Sequence, residues 1–163
     1  LGITVATGWK ETAKDFADAP EDVGMAFLAA SKAFQRVSSS SYGTLTATAL
    51  MAAAKATKGN TEVPWTEVSS LLAAARDAMM ARGKGALGDK SVLDAIDAVA
   101  GAVDRLDDPA AIRVAAQDAV AGAMEAFRDK PARLGRARMF GQKTIGMDDP
   151  GMVAFQKIVN ALA

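Results

Sequence analysis

Apolar residues along this chain recur at spacings of three and four rather than two, and seven stretches carry that rhythm. The first, about Ile3 to Ala17, puts Val5, Trp9 and Phe16 near one stripe and stops before Pro20, because a residue preceding proline avoids helical backbone. The second, about Glu21 to Arg36, spaces Val23, Phe27, Ala30, Phe34 and Val37 as an amphipathic helix does. After "SSSSYGT", Leu45 to Lys58 is almost all Ala, Leu, Met and Thr and reads as a buried helix; its opening "TLTAT" also alternates as a strand would, but no hairpin partner is visible. A fourth helix starts at Pro64, aligns Val68, Leu72, Ala75 and Met79, and ends at Arg82-Gly83. The fifth carries the cleanest stripe, Val92, Ile96, Val99, Val103 and Leu106. "DDP" at Asp107 to Pro109 supplies an N-cap and a first-turn proline for the sixth, through Ile112, Ala116, Val120, Ala123 and Phe127. A long irregular segment follows, and a second "DDP", Asp148 to Pro150, opens the seventh through Val153, Ile158 and Leu162. With no linker-like tract and no internal repeat, the chain reads as one all-α, antiparallel up-and-down bundle spanning residues 1–163.

Composition narrows the picture. Half of the 163 residues are apolar, yet the aromatic ones are only six Phe, two Trp and one Tyr. An Ala-rich interior requires helices that approach closely. Nineteen Lys plus Arg balance nineteen Asp plus Glu, so no bulk field favours a nucleic acid or an anionic membrane, and any anion site must be local. The longest apolar run falls far short of the roughly 18 residues that span a bilayer. The chain therefore reads as cytoplasmic. It contains no Cys and no His. Thiolate chemistry and the commonest general base are excluded, which leaves carboxylates, Lys, Arg, backbone amides or a hard cation. The chain starts at Leu1-Gly2 without an initiator Met and reads as processed or excerpted.

Four glycine- or serine-rich segments precede helices: Leu1-Gly2, Ser38 to Gly43, Arg82 to Lys90, and Gly135 to Gly151. In an up-and-down bundle the loops after the second, fourth and sixth helices fall at one end, together with the start of the first. All four segments then share one rim. A helix start offers unpaired N–H groups and about half a positive charge, so several on one rim attract phosphate. Arg133, Arg136, Arg138 and Lys143 add cations. Each segment also has a bland reading: "RGKGALGDKSVLDA" fits no GxxxxGK[ST] loop, and as a plain hinge it would have Asp89 capping the next helix. Asp97 and Asp104 lie away from the apolar stripe of the fifth helix and face solvent, and no carboxylate cluster in the chain has hard-metal spacing.

"SYGTLTATALMAAA", "RGKGALGDKSVLDA" and "GRARMFGQKTIGMDDPG" resemble, in order and spacing, the nucleotide-binding DhaL-type domain of dihydroxyacetone kinases. The resemblance implies an eight-helix barrel with ADP or ATP and two magnesium ions at one rim. Leu1-Gly2 matches the end of the family's Gly-Asp-x-Asp-x-Gly motif, which places the eighth helix and the metal-binding aspartates upstream of Leu1. By the same likeness Leu1, Gly2, Ile3 and Thr4 contact the nucleotide phosphates, as do Ser40 and Ser41, although the chain runs from Val37 to Tyr42 where the family has a longer Gly-rich stretch. Gly83 and Val92 line the base or ribose pocket, Arg136 pairs with phosphate or ribose, and Asp148, Asp149 and Pro150 close the pocket. The implied activity is phosphoryl transfer to dihydroxyacetone or a related ketose. The ketose is held through a His by a DhaK-type partner subunit or domain, since this chain has no His. A phosphocarrier protein is a further implied partner in some versions, and a homodimer is the implied assembly. The alternative is a non-catalytic DhaL-like module that senses nucleotide or docks to a regulator.

Overall fold

The computed structural model describes residues 2–15, 21–38 and 40–162. Seven α-helices account for most of them: α1 Gly2–Asp15, α2 Val23–Val37, α3 Ser41–Ala56, α4 Val68–Gly83, α5 Val92–Ala102, α6 Pro109–Arg128 and α7 Pro150–Asn160. No strand occurs among the described residues, and the fold is an all-α helical bundle. Each helix packs on the next in sequence, and α7 also folds back on α5.

Helix starts follow the capping chemistry. Asp22 accepts the Met25 N–H, Asp108 the Ala111 N–H at 2.7 Å, and Asp149 those of Gly151 and Met152. Both "DDP" segments therefore open helices as the sequence indicates. Three starts differ from expectation. Helix α3 begins at Ser41 rather than Leu45, because Ser40 Oγ accepts the Gly43 N–H; "TLTAT" is helical. Asp89 is not the cap of α5: Ser91 caps the Leu93 N–H, and Asp94 accepts the Ser91 N–H in return, while Asp89 closes its own turn by accepting from Ala86 N–H. Pro64 is extended, and a 3₁₀ turn at Trp65–Glu67 precedes α4. Helix α1 ends at Asp15, and Phe16 lies outside the described residues. The α5 stripe also outruns its helix, for Val103 and Leu106 follow its last turn.

Two apolar clusters form the interior. One, between α5, α6 and α7, is built on Ala95, Val99, Ile112, Ala116, Val120, Met152 and Val159. The other, at one end, joins Tyr42, Met79, Val92, Leu93, Ile96 and Ala154, with Val5, Leu45 and Leu134 packed around it. On the α1–α2 side the Trp9 and Phe34 rings meet edge to face at 5.1 Å, and Ser31 Oγ donates to the Ala47 carbonyl across α2 and α3.

Small residues set how close these helices come. A Cβ at Gly24 would lie 2.6 Å from Lys58 Cα and 2.7 Å from the Ala54 carbonyl oxygen. Nothing stands within 4 Å of the Cβ position of Gly122, in the middle of α6. The two glycines predict opposite responses in thermal melts. Gly24→Ala pushes α2 off α3 and lowers the melting temperature, whereas Gly122→Ala restricts the unfolded chain and stabilises by about 0.5–1 kcal/mol. Equal shifts for the two variants would contradict this packing.

Candidate functional site

Two adjoining cavities open at the end of the bundle occupied by the second cluster. The larger, about 640 Å³, is walled by Ser40, Ser41, Thr44, Leu45, Arg82, Gly83, Leu134, Gly135, Arg136, Arg138 and Met139. The smaller, about 290 Å³, shares Ser40, Ser41, Leu45, Leu134, Gly135 and Arg136 and adds Tyr42, Ser91, Val92, Ala137, Asp149, Pro150 and Gly151. Volumes of this order suit small-molecule ligands. The loops after α2, α4 and α6 thus meet at one rim, as alternation of up and down helices requires. Val5, one turn into α1, packs on the same cluster.

The starts of α3, α5 and α7 all reach the smaller cavity, through Ser40–Ser41, Ser91–Val92 and Asp149–Gly151. Each start carries about half a positive charge and N–H groups beyond those its cap satisfies. Arg82, Arg136 and Arg138 are exposed at the larger cavity, and among the described residues no carboxylate lies within ion-pair distance of them. Although the chain has no net charge, three arginines stand together at this rim, with Asp149 the acidic residue of the adjoining cavity. Apolar walls from Leu45, Val92 and Leu134 lie beside it.

The residues singled out by the sequence distribute unevenly. Ser40, Ser41, Gly83, Val92, Arg136, Asp149 and Pro150 line the cavities. Asp148 does not; its carboxylate meets the Arg128 guanidinium at 3.0 Å instead. Gly2 opens α1, Ile3 and Thr4 lie in its first turn, and Leu1 is outside the described residues. Arg133 and Lys143 are exposed away from both cavities. On α5, Asp97 pairs with Arg76, and Asp104 lies just past the helix end.

Sequence reasoning missed Lys90. Its side chain is 1 % exposed, and its Nζ donates to the carbonyls of Arg128, Lys130 and Thr144 at 2.9, 2.8 and 2.8 Å. No pattern in the sequence signals that arrangement, because all three acceptors are distant backbone groups. The α5 cap was visible in principle, since Ser91-Val92-Leu93-Asp94 has the S-x-x-[DE] form of a capping box.

Burial tunes the acids here. Desolvation raises the Asp149 carboxyl above its usual 3.8, opposed by the Met152 and Gly151 N–H bonds and by Lys90. Burial, with the Asp149 charge adding, pushes the Tyr42 phenol up to about 12, so it stays neutral. Burial lowers the Lys90 ammonium, opposed by Asp149, Asp148 and Asp129.

A mostly helical domain with converging helix starts and local cations defines an α-bundle with one cation-bearing rim. The chain belongs to the DAK2 domain family, which matches residues 1–163. It is 30% identical over 162 residues to L-erythrulose 1-kinase of Mycolicibacterium smegmatis, covering 95% of this chain and 28% of that protein. It is 26% identical to the ADP-binding subunit DhaL of a PEP-dependent dihydroxyacetone kinase of Listeria innocua, covering 99% of this chain and 78% of that subunit. Triokinase/FMN cyclase of Rattus norvegicus is 33% identical over 127 residues, or 75% of this chain and 22% of that protein. The chain thus spans about a quarter of the two longer kinases. No helix of the described residues is long and apolar enough to cross a membrane.

The raised carboxyl of Asp149 carries a signed prediction. A group whose pKa is higher folded than unfolded stabilises the fold below its unfolded value and loses that contribution as pH rises through the folded one. Asn caps a helix about as well as Asp but carries no charge. Asp149→Asn should therefore gain stability relative to the native chain as pH rises from about 4 toward neutrality. Melts at both ends of that range check it, and a difference that shrinks or reverses sign contradicts the assignment.

Proposed function

We propose that this chain is the nucleotide-binding component of a kinase for dihydroxyacetone or a related short ketose. The observation that supports this most is the meeting of three helix N-termini and three exposed arginines at one pair of cavities. The ADP-binding subunit among the relatives agrees with it.

The phosphate chain of ADP or ATP sits against Ser40, Ser41 and Arg136, the polar residues common to both cavities. Backbone N–H groups at the helix starts and the forked Arg136 guanidinium donate to its oxygens, while Arg82 and Arg138 lower the cost of gathering negative charge. Val92, with Leu45 and Leu134, offers the apolar wall for the base or ribose, and Gly83 leaves room beside Leu45, whose Cδ2 would lie 3.3 Å from a Cβ at that position. Gly2, Ile3 and Thr4 bring the start of α1 to the same phosphates; Asp149 and Pro150 wall the cavity from the start of α7. Asp148 acts one step removed, through Arg128. Phosphoryl transfer asks little covalent chemistry of a protein and depends on alignment and charge neutralisation, which these groups supply. The acceptor hydroxyl comes from a ketose held by a DhaK-type partner. Magnesium, implied by the resemblance, finds no ligand set among the described residues, where no group of three or more acidic side chains stands close enough to hold an ion.

Calorimetric titration of the full natural protein with ADP and magnesium tests this reading. Removing one charge-assisted contact weakens binding by about 1.5–3 kcal/mol, so Arg136→Ala should raise Kd roughly tenfold to a hundredfold. Native affinity in that variant removes Arg136 from the site. ADP at about 100 times its Kd should stabilise the protein against unfolding by about 2.7 kcal/mol.

A further inference from the structure

Between α6 and α7 the chain forms a strap, residues 129–149, that carries Gly135, Arg136, Ala137, Arg138 and Met139 to the cavity walls. It has little regular structure of its own. Its one helical stretch is a 3₁₀ segment, Arg136–Thr144, broken at Gly141, and Gly135, Gly141 and Gly146 all take positive φ. Met139 is 73 % exposed, and Phe140 and Met147 are also exposed, so apolar burial does not hold the outer part of the strap. The cluster between α5, α6 and α7 contains none of its residues, and the cluster at the rim takes in its inner residue Leu134.

What holds the strap comes from beneath. Lys90, in the α4–α5 loop, takes a left-handed φ of 58° that side-chain-bearing residues rarely adopt, and its ammonium is spent on three strap-side carbonyls at positions 128, 130 and 144. These acceptors lie at both ends of the strap's path, so one charged group ties the outgoing and returning chain together. Gly146 N–H donating to the Arg128 carbonyl, and Ala132 N–H to Thr144 Oγ1, close the same ring. Thr144 Oγ1 in turn donates to the Gly141 carbonyl at the break. Arg133 N–H reaches the Asp89 carbonyl, next to Lys90.

We propose that Lys90 is the positioning residue of the nucleotide site: its ammonium, by gathering the carbonyls of Arg128, Lys130 and Thr144, fixes the strap that presents Arg136 to the cavities. Lys90 is absent from the walls of both cavities and acts through the strap. Lys90 belongs to neither apolar cluster. Loss of the ammonium therefore releases the strap and leaves the bundle folded. This rests on the nucleotide reading above.

The test uses the full natural protein with Lys90→Met and Lys90→Cys, the latter before and after alkylation with bromoethylamine under denaturing conditions and refolding, which restores an ammonium at lysine length. The 163 residues hold no other cysteine to compete. Titration with ADP and magnesium should show Kd raised about tenfold or more in both variants with the number of sites unchanged, and recovery after alkylation. Amide hydrogen exchange should quicken across 130–146 and stay unchanged in α5 and α6. A residue that only supports the fold would instead lower the number of sites at constant Kd. That result, an unchanged Kd, or a failure of alkylation to restore binding overturns the proposal. Should Lys90→Met not fold, Thr144→Val, which removes the hydroxyl within the ring, must raise Kd with the same local exchange, and native behaviour there overturns it as well. Failure of the native protein to bind ADP would instead sink the nucleotide reading, and the exchange pattern alone would then decide whether Lys90 anchors the strap.

Discussion

An ammonium taken out of water must give every proton to an acceptor, and the rim of this bundle is arranged around that demand. Lys90 satisfies it with three carbonyls and, among the described residues, no carboxylate in direct contact. Carbonyls are dipoles, so they hold the charge without cancelling it. The carboxylates of Asp149, Asp148 and Asp129 act on it at longer range, with Arg128 opposing them. Had a carboxylate bonded Lys90 directly, the strap would be equally anchored and the field weaker. Asp149 is near enough to feel the ammonium, but its oxygen is occupied by the N–H groups of Gly151 and Met152.

The rest of the rim follows from how an up-and-down chain distributes its ends. Every second connection lands on the same face, so the starts of α3, α5 and α7 arrive together without any long-range motif to specify it. The caps that end each connection are the residues that line the cavity: Ser40, Ser91 and Asp149. These three side chains serve both local helix-starting chemistry and the candidate binding wall. Beside the cavities Tyr42, Val92, Ile96 and Ala154, drawn from these same helices, belong to one apolar cluster.

Much of this was legible in the sequence because it is local. The periodic stretches gave seven helices, and Asp108 and Asp149 announced their own starts through the proline that follows each. Convergence of the loops after α2, α4 and α6 followed from alternation alone. Errors arose where two local signals competed. Asp89 and Ser91 are both good caps, and the choice between them turned on Asp94, whose carboxylate returns the bond to Ser91. Likewise Ser40 captured the start of α3 ahead of the apolar run at Leu45. The strap was opaque for another reason: its bonds join Lys90 to carbonyls, which every residue possesses, at separations of 38 to 54 positions. A basic, glycine-rich run could be recognised as irregular, but not how it is held. Asp148 and Asp149 stand side by side in the sequence and diverge in space, one to Arg128 and the other to the cavity.

The clasp between Arg128 and Asp148 differs in kind from the bond beneath it. Both partners are partly open to water, with side chains 44% and 33% exposed. Dissolved salt screens such a pair over a distance of about 8 Å at physiological ionic strength, whereas the enclosed ammonium of Lys90 is shielded from mobile ions. The strap is therefore fastened twice, by a surface fastening that loosens as salt rises and by an interior one indifferent to it. Ionic strength acts on the outer edge of the rim while the ring of carbonyls beneath keeps its shape.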